Sequence, residues 1–212
     1  MKFRTLEGAP IDDIAAYVHE AVSRNPMLTV SVGCDSSPHR PATYVVTVML
    51  YDASSRHGAH VVFYRESVDM RSGDLLGRLQ REHEMAMSVA GELDARLSAL
   101  GERRDLTESE RKRYKYHLLR CEGRFPVDPA DEAAVIESIH LTDAERAARY
   151  RAVDIHLDYN AAEATRDTRG LKKNKSNLSY RSWVPYLRSM GYRVFVKPSA
   201  FAASSAADFL LH

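Results

Sequence analysis

Leu28-Thr29-Val30-Ser31-Val32-Gly33-Cys34-Asp35-Ser36 is an apolar, β-branched run that ends on an acid. Such a run reads as a buried strand, and burial of its apolar residues fixes the acid at the strand end. Two further strand-like runs follow, at 43–51 (Thr43-Tyr44-Val45-Val46-Thr47-Val48-Met49-Leu50-Tyr51) and at 59–65, after a turn containing Gly58. Their short connections favour an antiparallel meander. A second acid-terminated strand, Val153-Asp154-Ile155-His156-Leu157-Asp158, comes much later.

Helical periodicity fills the space around these runs. Ile11, Ile14, Ala15, Val18 and Val22 predict an amphipathic helix over 10–24, bracketed by Pro10 and Asn25-Pro26. Leu79, Ala86, Ala90, Leu93 and Leu97 give a long helix the apolar stripe it needs over about 73–100, with Gly101 as its stop. Residues 102–150 change character: they are charged, with helical patches interrupted by Gly123, Pro126 and Pro129. We read them as a helical insertion in a single domain spanning 1–212. After the strand at 152–158 come a polar loop over 159–176, a helix over about 178–190 ended by Gly191, and an alternating strand over 192–197 stopped by Pro198. A small terminal helix over 202–211 completes the chain. This order implies an α/β fold, a mixed β-sheet flanked by helices.

Composition narrows the function classes. Hydrophobic residues are 44% and charged residues 28% of the 212, with a net charge of +1. No global basic field announces nucleic acid, so any basic patch is local. Two scattered cysteines, Cys34 and Cys121, make neither a disulfide framework nor a zinc site. The polar start and the lack of a membrane-length apolar run fit a cytoplasmic protein. There is no P-loop glycine pattern, no nucleophile elbow and no Ser/His/Asp spacing of note.

The acids carry the chemistry. Asp35 and Asp158 close two core strands, and Asp208 lies in the C-terminal segment. Carboxylates held together repel unless a cation occupies the group, and hard divalent cations prefer oxygen ligands. The long helix offers Glu82 and Glu84. At ~100° per residue, Glu82 stands at the margin of the buried stripe and Glu84 points to solvent. Each acid also has a plainer reading: Asp35 as the start of the Ser36-Ser37-Pro38 turn, Asp158 as an Asx turn, Asp208 and both glutamates as solvated helix charges. Asp154 shares a face with Asp158 but lies four residues upstream.

Gly33-Cys34-Asp35-Ser36, His156-Leu157-Asp158, Lys175-Ser176-Asn177 and the tail Met190-Gly191-Tyr192…Val196-Lys197-Pro198…Ala203-Ser204…Ala207-Asp208 resemble the YkuK family of predicted ribonuclease H-like nucleases. The resemblance covers 28–100 and 152–212 and leaves 102–150 unmatched. It implies a ribonuclease H-like fold with a first Asp on the first strand, a Glu on the first helix, an Asp ending the fourth strand and a last Asp on a C-terminal helix. Those positions fall on Asp35, Glu82 (or its neighbour Glu84), Asp158 and Asp208. The implied activity is two-metal hydrolysis of a phosphodiester with Mg²⁺ or Mn²⁺, Asp35 bridging the ions.

Arg166-Asp167-Thr168-Arg169-Gly170-Leu171-Lys172-Lys173-Asn174-Lys175 is the densest basic stretch near the acids. Arg169, Lys172, Lys173 and Lys175 suit the phosphates of RNA, DNA or a hybrid; a solvated loop is the plainer reading. Cys34 and His156, set among strand residues, read as a buried thiol and a satisfied structural histidine. Two rival functions remain open at this stage. One is a non-catalytic nucleic-acid-binding module, the other an interaction protein whose 102–150 segment docks a protein partner.

Overall fold

The computed structural model describes residues 1–25, 28–37, 41–52, 58–69, 74–98, 151–160, 164–167, 170–173, 176–197 and 200–211; of 160, 164–167 and 170–173 it describes the backbone alone. The expected helical insertion at 102–150 therefore lies outside the described residues. So do the stop at Gly101, Cys121, Arg169 and Lys175.

The meander forms as its β-branched composition requires. β3 (Leu28–Ser36), β4 (Ala42–Asp52) and β5 (His60–Val68) pair antiparallel in sequence order. A short hairpin, β1 (Phe3–Thr5) and β2 (Pro10–Ile11), extends the sheet beyond β5. On the other side, β6 (Val153–Asn160) and β9 (Arg193–Lys197) add in parallel. The result is a seven-stranded mixed sheet in the order β2-β1-β5-β4-β3-β6-β9. The two acid-ended strands, β3 and β6, are neighbours and run the same way.

One face of the sheet carries three helices. These are α1 (Ile14–Arg24), α2 (Leu75–Ser98) and α3 (Ser176–Ser189). Val30, Val32, Val46, Val48 and Ile155 are buried, and α2 buries Leu79, Ala86, Val89, Ala90 and Leu93. Each valine, leucine or isoleucine among them contributes about 1.5–3 kcal/mol by leaving water. His83 of α2 stacks on Trp183 of α3, ring centroids 4.1 Å apart. Near the end of α2, the buried Asp94 accepts from the Ala152 amide and from Arg151, both at 2.8 Å, and so clasps the entry to β6.

The opposite face receives the C-terminal segment, a π-helical stretch over Ala202–Ala207 that passes into α4 (Asp208–Leu211). One row of side chains across the sheet, Thr47 on β4, Gly33 on β3 and His156 on β6, seats it. The Thr47 hydroxyl donates to the Ala202 carbonyl at 2.5 Å, and His156 Nδ1 accepts from the Ala202 amide at 3.0 Å. A Cβ on Gly33 would lie 2.4 Å from the Ala203 nitrogen and 2.5 Å from the Ala202 carbonyl carbon, so only glycine admits this approach.

Two expectations are corrected. The first helix begins at Ile14, not 10, because the Asp13 carboxylate caps it by accepting from the Ala16 amide at 2.8 Å, and Pro10–Ile11 pairs as β2. The span 159–176 is not all loop. β6 runs on to Asn160, β7 (Ala164–Asp167) and β8 (Gly170–Lys173) form an antiparallel hairpin, and α3 starts at Ser176. Gly170 is the first residue of β8 and pairs with Asp167.

Candidate active site

Asp35 and Asp158 stand at the same end of adjacent parallel strands, one residue beyond the last paired positions, Cys34 and Leu157. Register is lost between Leu157 and Asn160 on the side facing β9. Such an irregularity bends a strand and re-aims its side chains. Here it turns Asp158 towards Lys197, whose Nζ lies 2.7 Å from Asp158 Oδ2. Tyr159, also inside the irregularity, is buried and donates to the Leu79 carbonyl at 3.1 Å, tying the strand end to α2.

Glu82 approaches from α2. It is 4% exposed and accepts from the Ser36 hydroxyl at 2.5 Å. Glu84 is exposed and accepts from Gln80 at 2.9 Å, on the solvent side of the helix. Asp208 opens α4 on the opposite face, exposed.

The charges of these groups reach one another. Burial, with repulsion by Asp158 and Asp208, pushes the Asp35 carboxyl up to about 6, against the hydrogen bond it accepts from the Ser36 amide at 2.8 Å. Burial pushes Glu82 up to about 8, and Asp35 and Asp158 add to the rise. Asp35 thus feels Asp158 and Asp208, and Glu82 feels Asp35 and Asp158. Among the described residues, no three of them close into a ready-made cation cage. Two carboxylates are held instead by internal partners, Glu82 by Ser36 and Asp158 by Lys197. Asp158 Oδ1 is buried with no hydrogen-bond partner, an oxygen a cation could take. An all-carboxylate donor set of this kind suits Mg²⁺ or Mn²⁺.

The other candidate residues divide. His156 is buried, its ring pulled down to about 3 by burial and by Arg193, and it serves the docking of Ala202. His83 is buried against Trp183 and held down to about 4 by burial, so its ring is neutral. Cys34 is buried and its thiol is raised by burial and by Glu82 and Asp35. Lys172 and Lys173 lie on β8.

Sequence reasoning gave no role of their own to Ser36 and Lys197, which hold Glu82 and Asp158, or to Gly33, where the C-terminal segment crosses. Gly33 alone carried a signal, since a glycine inside a strand marks close backbone approach.

An α/β protein with a mixed sheet, acids at the ends of its two central parallel strands, a buried glutamate on the first long helix and a C-terminal aspartate defines a narrow class. A family model described as ribonuclease H-like matches residues 11–118, just over half of the chain. The chain belongs to the ribonuclease H-like family, of the YkuK type. The match begins before the first core strand and runs into the stretch read as an insertion. It includes Asp35 and Glu82 and stops short of Asp158 and Asp208. No curated protein matches the chain, and no solved structure does.

Proposed function

We propose that the protein is a metal-dependent nuclease that hydrolyses phosphodiester bonds of RNA, DNA or a hybrid. The observation that supports this reading is the placement of Asp35 and Asp158 at the same end of neighbouring parallel strands, with Asp158 Oδ1 buried and unpartnered. The fold spends stability to gather anions, and a divalent cation is the partner that repays the cost. Family membership supports the same direction.

In this reading Asp35, Glu82, Asp158 and Asp208 would hold the cations. When bound, the cations supply water activation and charge for the leaving oxygen. The chain's own part is to fix the carboxylates. The β3 and β6 strand ends aim Asp35 and Asp158, Ser36 orients Glu82, and the Gly33 crossing delivers the segment that carries Asp208. Arg169, Lys172, Lys173 and Lys175, on and around the β7–β8 hairpin, are assigned to the substrate phosphates, which the acids would otherwise repel. The domain reading remains one unit over 1–212 with 102–150 inserted. Among the described residues, no helix is long and apolar enough to cross a membrane.

The test is hydrolysis of labelled RNA, DNA and hybrid duplexes in Mg²⁺ or Mn²⁺. Asp35→Asn and Asp158→Asn are each expected to lower the rate by at least about 10³-fold. Activity that survives both would reject the assignment. Binding of oligonucleotide without turnover in either metal would make the protein a non-catalytic reader of nucleic acid.

A further inference from the structure

We propose that Lys197 is the resident counter-cation of the acidic site: its ammonium holds Asp158 until a divalent cation takes that carboxylate, so lysine and metal compete for it. The proposal takes only the nature of the cation from the nuclease reading.

Three features carry it. Lys197 Nζ binds Asp158 Oδ2 at 2.7 Å while Asp158 Oδ1 is buried and unpartnered, so the carboxylate is half used. The charge of the ammonium is also felt at Asp35, where it opposes the upward push of the neighbouring acids. Its side chain is 46% exposed and is the last of β9, so it can swing into water. Lysine is a point charge on a flexible stem and gives up one partner for another at low cost. The carboxylate four residues back shows the alternative. Asp154 is gripped by Arg193 at 2.6 Å, the carboxylate buried and the arginine side chain only 12% exposed, so that pair is largely shut off from water.

A competing lysine holds the loop-like end of β6 in place without metal and weakens the first cation's binding. Removing it therefore tightens metal uptake and loosens the metal-free fold. That sign separates competition from a merely structural ion pair, whose loss would disorder Asp158 and weaken uptake.

The experiment is calorimetric titration of the full chain with Mn²⁺, for the wild type, Lys197→Met, Lys197→Arg and Asp158→Asn. Lys197→Met is expected to bind Mn²⁺ on the order of tenfold more tightly, and to melt lower than the wild type in chelator. Lys197→Arg is expected to stay near the wild type. In the Lys197→Met/Asp158→Asn double variant the gain is expected to vanish, since the two act through one contact. Should the methionine variant not fold, Lys197→Gln repeats the measurement. Equal or weaker uptake after loss of the lysine overturns the proposal, as does a gain that persists without Asp158. Uptake by neither wild type nor variant overturns it together with the metal reading. Tighter uptake without hydrolysis of any nucleic acid upholds it and removes the nuclease reading alone.

Discussion

Asp154 and Asp158 stand on one strand, four residues apart, and meet opposite fates. Asp154 sits buried beside a largely covered arginine whose planar fork suits a carboxylate. Asp158 sits at the strand's irregular end, faces other acids, and is held by a half-exposed lysine. The first arrangement is closed: charge is neutralised inside the fold and nothing further is needed. The second is open: two more acids add to the negative charge around Asp35, and one oxygen of Asp158 is idle. A carboxylate that serves structure is thus distinguished from one available for chemistry by what is left over after its partners are counted.

The comparison breaks most directly by neutralising each acid in turn. Asp154→Asn takes the charged carboxylate away from the largely covered Arg193 and is expected to cost about 3–5 kcal/mol in denaturant unfolding. Asp158→Asn removes repulsion along with a half-exposed ion pair, so in chelator it is expected to be close to neutral. Equal losses at the two positions would erase the distinction.

A second expectation concerns pH. Asp35 and Glu82 hold their protons more tightly folded than unfolded, Asp35 up to about 6 and Glu82 up to about 8. Their native forms therefore carry more protons than the unfolded chain from about pH 4 upward, and their contribution falls as pH rises through those values. Metal-free protein is expected to lose stability between about pH 5 and 8. Glu82→Gln keeps the Ser36 contact without the charge and is expected to restore on the order of 3 kcal/mol at pH 8. Melting curves across pH with chelator, repeated with saturating Mn²⁺, measure both the loss and its relief. A flat profile in the wild type would mean that neither burial nor the neighbouring acids raise these carboxyls in solution.

The smallest expected effect lies on the docking row. Thr47→Val removes the hydroxyl that meets the Ala202 carbonyl and is expected to cost about 1–2 kcal/mol in denaturant unfolding. Because that contact anchors the segment bearing Asp208, Mn²⁺ affinity is expected to fall with it, by about threefold. Loss of stability with unchanged affinity would detach Asp208 from the site.

Much of the fold was legible because its signals are local. β-Branched runs mark the meander, and the apolar stripe marks α2 and places Glu82 towards the interior, with Glu84 on the solvent side. The β1–β2 hairpin was missed because strands of three and two residues are too short for alternation to register. The β7–β8 hairpin was missed because its charges masked a four-residue period. Within the site, strand ends announced Asp35 and Asp158, but Lys197 depends on the irregularity between β6 and β9. Which residue faces Asp158 is decided by pairing register, a non-local property absent from either segment alone.

The clasp of Asp94 on Arg151 and Ala152 has a consequence for how this architecture tolerates change. It brings the chain back to within about one helical turn of Ser98, where α2 ends, so everything between begins and finishes at one spot. Closing such an excursion costs entropy that grows only logarithmically, about 0.6 kcal/mol for each doubling of its length. Lengthening or trimming that stretch in evolution is thermodynamically cheap, and the acids at the far end of the strands need not register it.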